Sequence, residues 1–119
     1  MLDESLKYIE SDVAIHTAAV SDYRPKQVYD TKIKKGGTVS FNDIEFVENA
    51  DILATFCNHP KRPKIVIGFA AETNNLIENA RKKLVKKNVD YIVANDVSQG
   101  KVFGKDKNKV IIISKNLIL

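Results

Sequence analysis

Four stretches of this sequence have the residue types and spacing to handle a charged small molecule. The first runs Ala18-Ala-Val-Ser-Asp-Tyr-Arg24 and offers a carboxylate, a phenol and a guanidinium. Asp22 is an acceptor suited to ribose hydroxyls, or else a turn cap, a role aspartate favours. The second is Lys32, Lys34 and Lys35. Mobile ammonium groups of this kind can neutralise a polyphosphate, or they form one solvated face of a strand. The third is Gly68-Phe-Ala-Ala-Glu-Thr73. Phe69 could stack on a base or join the core. Glu72 is a candidate general acid/base or metal ligand, with helix capping explaining it nearly as well. The fourth is Asn95-Asp96, where Asp96 carries the same pair of readings. Lys83 and Lys87 lie four apart on a predicted helix and share a face. They could grip a triphosphate or be ordinary surface lysines. His16 reads as a core histidine, His59 as structural and Cys57 as a buried thiol with no base beside it in sequence. The chain has no metal motif and no nucleophile elbow.

These residues need a scaffold that brings them to one rim. Ile65-Val66-Ile67 is too short for a helix and rich in β-branched side chains, so it predicts a strand buried on both faces. Gly68 then allows a close backbone approach at the strand's carboxyl end. Thr73 or Asn74 is the expected cap of a helix running to about Asn88, with Leu76, Ile77, Ala80 and Leu84 on its apolar face. Upstream, residues 2 to 10 read as the tail of a helix. Residues 12 to 20 read as another buried strand, broken where Pro25 forces Arg24 to be extended. Residues 27 to 48 predict a β-hairpin arm turning at Gly36-Gly37, between Thr31-Lys-Ile33 and Thr38-Val-Ser-Phe41. The arm has few core residues for its length, so it is expected to pack on another subunit or to lid a site. Asn49 is the expected cap of a short helix from Ala50 to about Phe56. Asp90–Ala94 and Lys109–Ser114 complete the strands, with a loop holding Phe103 between them.

Helices that separate buried strands predict a mostly parallel α/β sheet, with the last two strands antiparallel. Ligands bind such sheets at the carboxyl ends of the strands, and the four stretches are predicted to fall there or in adjoining loops. A Rossmann-like fold ordinarily opens with a strand and a glycine-rich phosphate turn, and this chain opens with a helix.

The totals narrow the function classes. A chain of 119 residues is expected to form one domain, 1–119. No apolar run reaches the ~20 residues of a membrane span. The start Met1-Leu2-Asp3-Glu4 is acidic where a secretory leader is basic, and the single Cys57 leaves no internal disulfide. A reducing, cytoplasmic setting with no membrane partner is therefore expected. The net charge of +4 reads as a lysine-rich surface or as attraction for phosphate-bearing ligands. No zinc-finger or RNA-binding signature is present, so no nucleic-acid partner is expected. Residue chemistry alone leads to a nucleotide- or phosphate-binding α/β domain.

Six motifs taken together narrow this. They are Ala18-Ala-Val-Ser-Asp-Tyr-Arg-Pro25, Lys32-Ile-Lys-Lys35, Asn49-Ala-Asp-Ile52, Gly68-Phe-Ala-Ala-Glu-Thr-Asn-Asn75, Ala80-Arg-Lys-Lys83 and Ala94-Asn-Asp-Val97. In order and spacing, from about residue 12 to residue 115, the chain resembles the phosphopantothenoylcysteine synthetase domain of the bifunctional coenzyme A biosynthesis flavoproteins. The resemblance implies a Rossmann-like three-layer fold with a protruding β-hairpin arm exchanged in a homodimer. It implies CTP as substrate with Mg2+, and ligation of 4′-phosphopantothenate to cysteine through an acyl cytidylate. By matched position, Asp22 would hold the ribose and Lys32 would be the catalytic lysine at the triphosphate. Ala18 would permit close backbone approach. Ala50, Asp51, Ile52 and Leu53 would meet the nucleotide at a helix N-terminus. Phe69 would contact the cytosine, and Lys83 and Lys87 the nucleotide's charge. Ala50 departs from the proline usual in the family. The family's opening strand, Gly-Gly-Thr turn and asparagine-bearing loop have no match here, nor has the decarboxylase half. No FMN is therefore expected, and a separate N-terminal half is an expected partner. Two alternatives stay open: a non-catalytic nucleotide-binding remnant, and a dimerisation module of the same fold.

Overall fold

The computed structural model describes residues 1–34, 36–37, 40–98 and 109–117. In chain order the described elements are α1 (Leu2–Leu6), β1 (Val13–His16), β2 (Tyr23–Pro25), a 3-10 turn (Phe41–Asp43), β3 (Phe46–Glu48), α2 (Ile52–Cys57), β4 (Ile65–Glu72), α3 (Leu76–Lys87), β5 (Tyr91–Asp96) and β6 (Val110–Ile113). They fall into two compact units, one of Met1–Ala18 with Ile52–Leu119 and one of Ala19–Asp51.

The first unit holds a four-stranded sheet in the order β1-β4-β5-β6. β1, β4 and β5 are parallel, and β6 runs antiparallel to β5, as expected where no crossover helix intervenes. In register, His16 lies opposite Gly68 and Glu72 opposite Asp96. One face of this sheet is the core. Val66, Ala70, Ile92, Ala94 and Ile113 are fully or almost fully buried, together with Ala80 and Leu84 of α3, Val89 after it and Cys57 of α2. Alanines at 70, 80 and 94 keep the facing surfaces short, so helix and sheet approach closely.

β4 differs from its expectation in two ways. It continues to Glu72, so Gly68 and Phe69 lie inside the strand rather than in a turn. The parallel ladder to β5 holds through Glu72, because Phe69, Ala70 and Ala71 each have a register partner. Its burial also alternates: Val66, Gly68 and Ala70 are covered, while Ile65, Phe69 and Ala71 are exposed. The described helices that cover the sheet, α2 and α3, lie on the Val66 face.

The close approach at Gly68 is made by a helix. A Cβ built there would stand 2.8 Å from Leu53 Cδ2 and 3.1 Å from Ile92 Cδ1. Leu53 of α2 thus fills the notch that the missing side chain leaves. At the amino ends of the strands, Asp90 Oδ2 accepts from Val66 N–H at 2.8 Å and forms an ion pair with the Arg62 guanidinium. Arg62 Nη1 also donates to Asn88 O at 3.0 Å. This clasp joins the lead-in to β4 with the exit from α3.

α3 has the expected extent but a different cap. Its N-cap is Asn75, left-handed at φ 44°, with no side-chain capping bond. Thr73 and Asn74 precede it, and Asn79 Nδ2 donates back to Asn74 O at 3.1 Å. The helix closes on Asn88, also left-handed at φ 55°, with Val89 N–H donating to Leu84 O at 3.2 Å. Asparagine tolerates this conformation better than other non-glycine residues. α2 begins at Ile52, two residues later than expected, and the Asn49 side chain expected to cap it bonds Arg24 and Ser21 instead.

The second unit is organised by β2 and β3, antiparallel with Arg24 opposite Val47. The expected hairpin strands at Thr31–Ile33 and Thr38–Phe41 are a correction. Residues 31–34 are not strand, and Phe41 opens the 3-10 turn. Ile33 is the one apolar side chain in 31–34 and is 38% exposed, so that segment has no apolar face to bury against a partner strand. Pairing forms at the base of the arm instead, extended by Lys26 N–H to Glu45 O at 2.8 Å. The glycine turn is present: Gly37 N–H donates to Lys34 O at 3.0 Å, and Gly36 has φ +77°. A capping box on Ser40 and Asp43 closes the 3-10 turn. Lys35, Thr38, Val39 and Phe103 lie outside the described residues.

Candidate functional site

In the first unit the parallel order places the carboxyl ends of β1, β4 and β5 at one rim. β1 stops at His16, opposite Gly68, so Phe69 is the first β4 residue beyond it. Phe69 is 40% exposed, and by strand alternation its ring lies on the face opposite α2 and α3. Lys83 Nζ donates to Phe69 O at 3.4 Å, so the structure brings these two expected site residues together through backbone. Ala18 is exposed, two residues past the end of β1. Lys87 is one turn further along α3, about 6 Å farther from the rim by the helical rise. Ile52 and Leu53 are buried or half-buried core side chains. What they can offer a ligand is backbone N–H.

Two carboxylates end the neighbouring strands at this rim. Glu72 Oε2 accepts from Asn79 Nδ2 at 3.3 Å, and Asp96 Oδ1 accepts from Ser98 N–H at 2.8 Å. Local hydrogen bonds thus occupy both, which favours the capping readings. Among the described residues no three His, Cys, Asp or Glu side chains gather where they could hold a metal ion.

In the second unit, the loop that offered three chemical groups is sorted by its hydrogen bonds. Tyr23 OH donates to Glu48 Oε1 at 3.4 Å. Arg24 Nη1 donates to Glu48 O at 3.0 Å and Asn49 Oδ1 at 2.9 Å. Asn49, expected as a helix cap, is the clasp of this loop. Its Nδ2 donates to Ser21 O at 2.8 Å and its N–H to Asp22 O at 2.8 Å. The phenol and guanidinium are structural, and the backbone of Asp22 is fixed while its side chain is exposed. Lys32 and Lys34 are exposed, as are Ala50 and Asp51.

The remaining polar candidates are explained locally. His59 Nδ1 accepts from Lys61 N–H at 3.1 Å after α2, a structural role. His16 is half-buried, edge-on to Phe56 with ring centroids 4.8 Å apart, and burial lowers its pKa below the ordinary 6.5. Cys57 is buried. Sequence reasoning missed the Arg62–Asp90 clasp and the Asn49 clasp. The first could have been found from opposite charges in the lead-ins to two adjacent parallel strands, Arg62 three residues before β4 and Asp90 directly before β5.

Comparison with known proteins gives a consistent result. Residues 1–118 match the family model described as the DNA/pantothenate metabolism flavoprotein C-terminal domain. The coenzyme A biosynthesis bifunctional protein CoaBC of Borreliella burgdorferi is 42% identical over 120 residues, covering 99% of this chain and 30% of that protein. The CoaBC protein of Bacillus subtilis is 46% identical over 112 residues, covering 92% of this chain and 26% of that one. The chain therefore spans less than a third of the length of these relatives. The solved C-terminal domain of a CoaBC protein superposes with a TM-score of 0.72 at 36% identity, over 99% of this chain and 49% of that domain. The DNA/pantothenate metabolism flavoprotein of Streptococcus pneumoniae also gives 0.72, at 25% identity. Their fold is that of this mostly parallel sheet with its helices. The chain belongs to the DNA/pantothenate metabolism flavoprotein C-terminal domain family.

Proposed function

We propose that this chain works in coenzyme A biosynthesis as part of a CTP-dependent ligase that joins 4′-phosphopantothenate to cysteine. The observation that carries this reading is the match of residues 1–118 to one family whose relatives are coenzyme A biosynthesis bifunctional proteins. In the second unit the exposed Asp22 carboxylate and Lys32 ammonium support it, and in the first unit so does the hydrogen bond of Lys83 to the Phe69 carbonyl.

The chemistry asks for these residue types. A carboxylate is a poor electrophile until its oxygen becomes part of a good leaving group. In this reading the phosphopantothenate carboxylate attacks the α-phosphate of CTP, and pyrophosphate leaves. The cysteine amine then attacks the acyl cytidylate carbonyl, the amide forms and CMP leaves. Bringing one anion onto another needs positive charge near the α-phosphate. Lys32 supplies it as a point charge on a flexible stem. Asp22 accepts from the ribose hydroxyls, Phe69 meets the cytosine, and Lys83 and Lys87 offset the nucleotide's charge. Ala18 and the backbone of Ala50–Leu53 allow close approach of the nucleotide. Magnesium accompanies the triphosphate and would further neutralise it. Mg2+ is commonly held by substrate phosphates, water and one or two carboxylates. A homodimer through residues 27–48 belongs to the same reading, with a cytoplasmic setting. Among the described residues no helix is long and apolar enough to cross a membrane.

The test has two stages. Magnesium-CTP should raise the melting temperature of the chain in proportion to the logarithm of its concentration. The chain, supplied with the remainder of the relatives' domain, should release pyrophosphate from CTP only when 4′-phosphopantothenate is present. No thermal shift and no pyrophosphate would refute the reading. A shift without pyrophosphate would leave nucleotide binding without turnover.

A further inference from the structure

α2 has six residues, too few to hold a helix without packing. Its seat on the sheet therefore sets where its first turn lies. Two side-by-side contacts tie it to β1 and β4. Leu53 fills the notch over Gly68. The Phe56 ring meets the His16 ring at 69°, with centroids 4.8 Å apart. Gly68 and His16 are register partners on adjacent strands. His16 shares the covered face of β1 with Ala14, which packs on the core. The imidazole is the one polar group in this seam. Among the described residues it has no hydrogen-bond partner, and no charged group acts on it. α2 carries no charge, and its one titratable group is the buried Cys57. The one charge on β4 is Glu72, at the far end of the strand and bonded to Asn79. A phenylalanine would fill this place by shape alone. Histidine adds a ring that gains a charge as pH falls.

We propose that His16 is a positioning residue: its neutral ring holds α2 against the end of β1, and so fixes Ile52 and Leu53 relative to Ala18, two residues past His16. These are the first-unit backbone segments that the nucleotide reading above assigns to CTP, and the ligand named here rests on that reading. The seat itself rests only on the geometry of the first unit. Protonation undoes it. A charged imidazole loses its hydration in the seam and finds no acceptor there, so it leaves Phe56 for water. Burial already holds its pKa below 6.5 for the same reason. With the ring gone, α2 keeps one of its two ties to the strand ends, and the nucleotide meets a looser first turn. Nucleotide affinity is then present above the ordinary histidine range and falls below it.

The experiment measures magnesium-CTP affinity of the full chain by calorimetry at pH 7 and pH 5, and hydrogen exchange at the amides of Ile52–Cys57 without nucleotide. His16→Ala removes the ring, and His16→Phe keeps a ring that cannot titrate. At pH 7, His16→Ala should bind about fivefold more weakly, with faster exchange in α2. His16→Phe should restore most of both. Between pH 7 and pH 5 the parent should lose about fivefold in affinity relative to His16→Phe. That ratio cancels the titration of the nucleotide's own phosphates, which is common to both. His59→Gln, at the other histidine, should follow the parent at both pH values. Should His16→Ala lose its far-UV circular dichroism, the phenylalanine arm decides alone. Binding by the parent with α2 exchange unaltered in His16→Ala, or with a parent-to-phenylalanine ratio constant in pH, would overturn this inference and leave the nucleotide reading standing. No binding by the parent, with α2 exchange still dependent on His16, would overturn the nucleotide reading and with it the ligand named here.

Discussion

Gly68→Ala tests the notch in which α2 meets the sheet. The added methyl would stand 2.8 Å from Leu53 Cδ2 and 3.1 Å from Ile92 Cδ1. Both contacts are to ends of side chains, but their freedom differs. Ile92 is fully buried and cannot swing away, whereas Leu53 is half-buried and can shift only by moving α2 or changing rotamer. Overpacking of this kind costs about 1–3 kcal/mol. The backbone at Gly68 is not left-handed, so alanine is allowed there and restricts the unfolded chain. That offsets about 0.4–1 kcal/mol. The net expectation is a loss of about 1–2 kcal/mol, or a melting temperature lower by roughly 4–10 °C for a domain of this size. Urea titration followed by circular dichroism measures it, and an unchanged m-value would show that the comparison is of like states. The Leu53→Ala variant supplies a cycle. If the leucine is what the methyl meets, the two changes should be non-additive by about 0.5–2 kcal/mol, with Gly68→Ala nearly harmless once Leu53 is shortened. A stabilised Gly68→Ala variant, or strict additivity with Leu53→Ala, would refute the packing argument.

Other perturbations reach other parts of the molecule. Asp90→Asn keeps an acceptor for Val66 N–H but removes the charge opposite Arg62, and should lower stability by about 1–2 kcal/mol in the same urea assay. His16 is held neutral by burial, its pKa below 6.5. Its contribution is therefore fully present above pH 6.5 and is lost as pH falls below that value, because the unfolded chain then binds a proton that the folded one resists. His16→Gln should remove that part of the pH dependence between pH 7 and pH 5, read as the difference between parent and variant denaturation curves. Lys32→Gln should leave folding intact, since Lys32 is exposed, and should lower pyrophosphate release by about 10²-fold or more in the completed enzyme. Undiminished release would remove that lysine from the chemistry.

The order of strands and helices in the first unit is legible in the sequence. Apolar runs such as Ile65-Val66-Ile67 and the amphipathic spacing of Leu76, Ala80 and Leu84 are local signals, written in neighbouring residues. The antiparallel last pair followed from the same logic, since no crossover helix separates β5 from β6. The polar candidates were legible as types, but their partners were not. Tyr23 and Arg24 stand in the sequence as an available phenol and guanidinium, and the fold places Glu48 and Asn49 beside them, more than twenty positions away in the chain. Asn49 carried a good capping residue's side chain and used it on Ser21 and Arg24 instead. The glycine pair, a local signal, predicts the hairpin at the tip of the arm, whereas strand pairing needs a face to bury and forms at its base. Gly68 looked like a turn because a glycine before two alanines breaks the apolar run. Only the arrival of Leu53 from α2 shows what the missing side chain is for. Period and composition are properties of a segment, and so the elements could be read from the chain. Which face is covered, which charge is already paired and which glycine admits a neighbour depend on contacts between distant segments, and those were decided only when the chain folded.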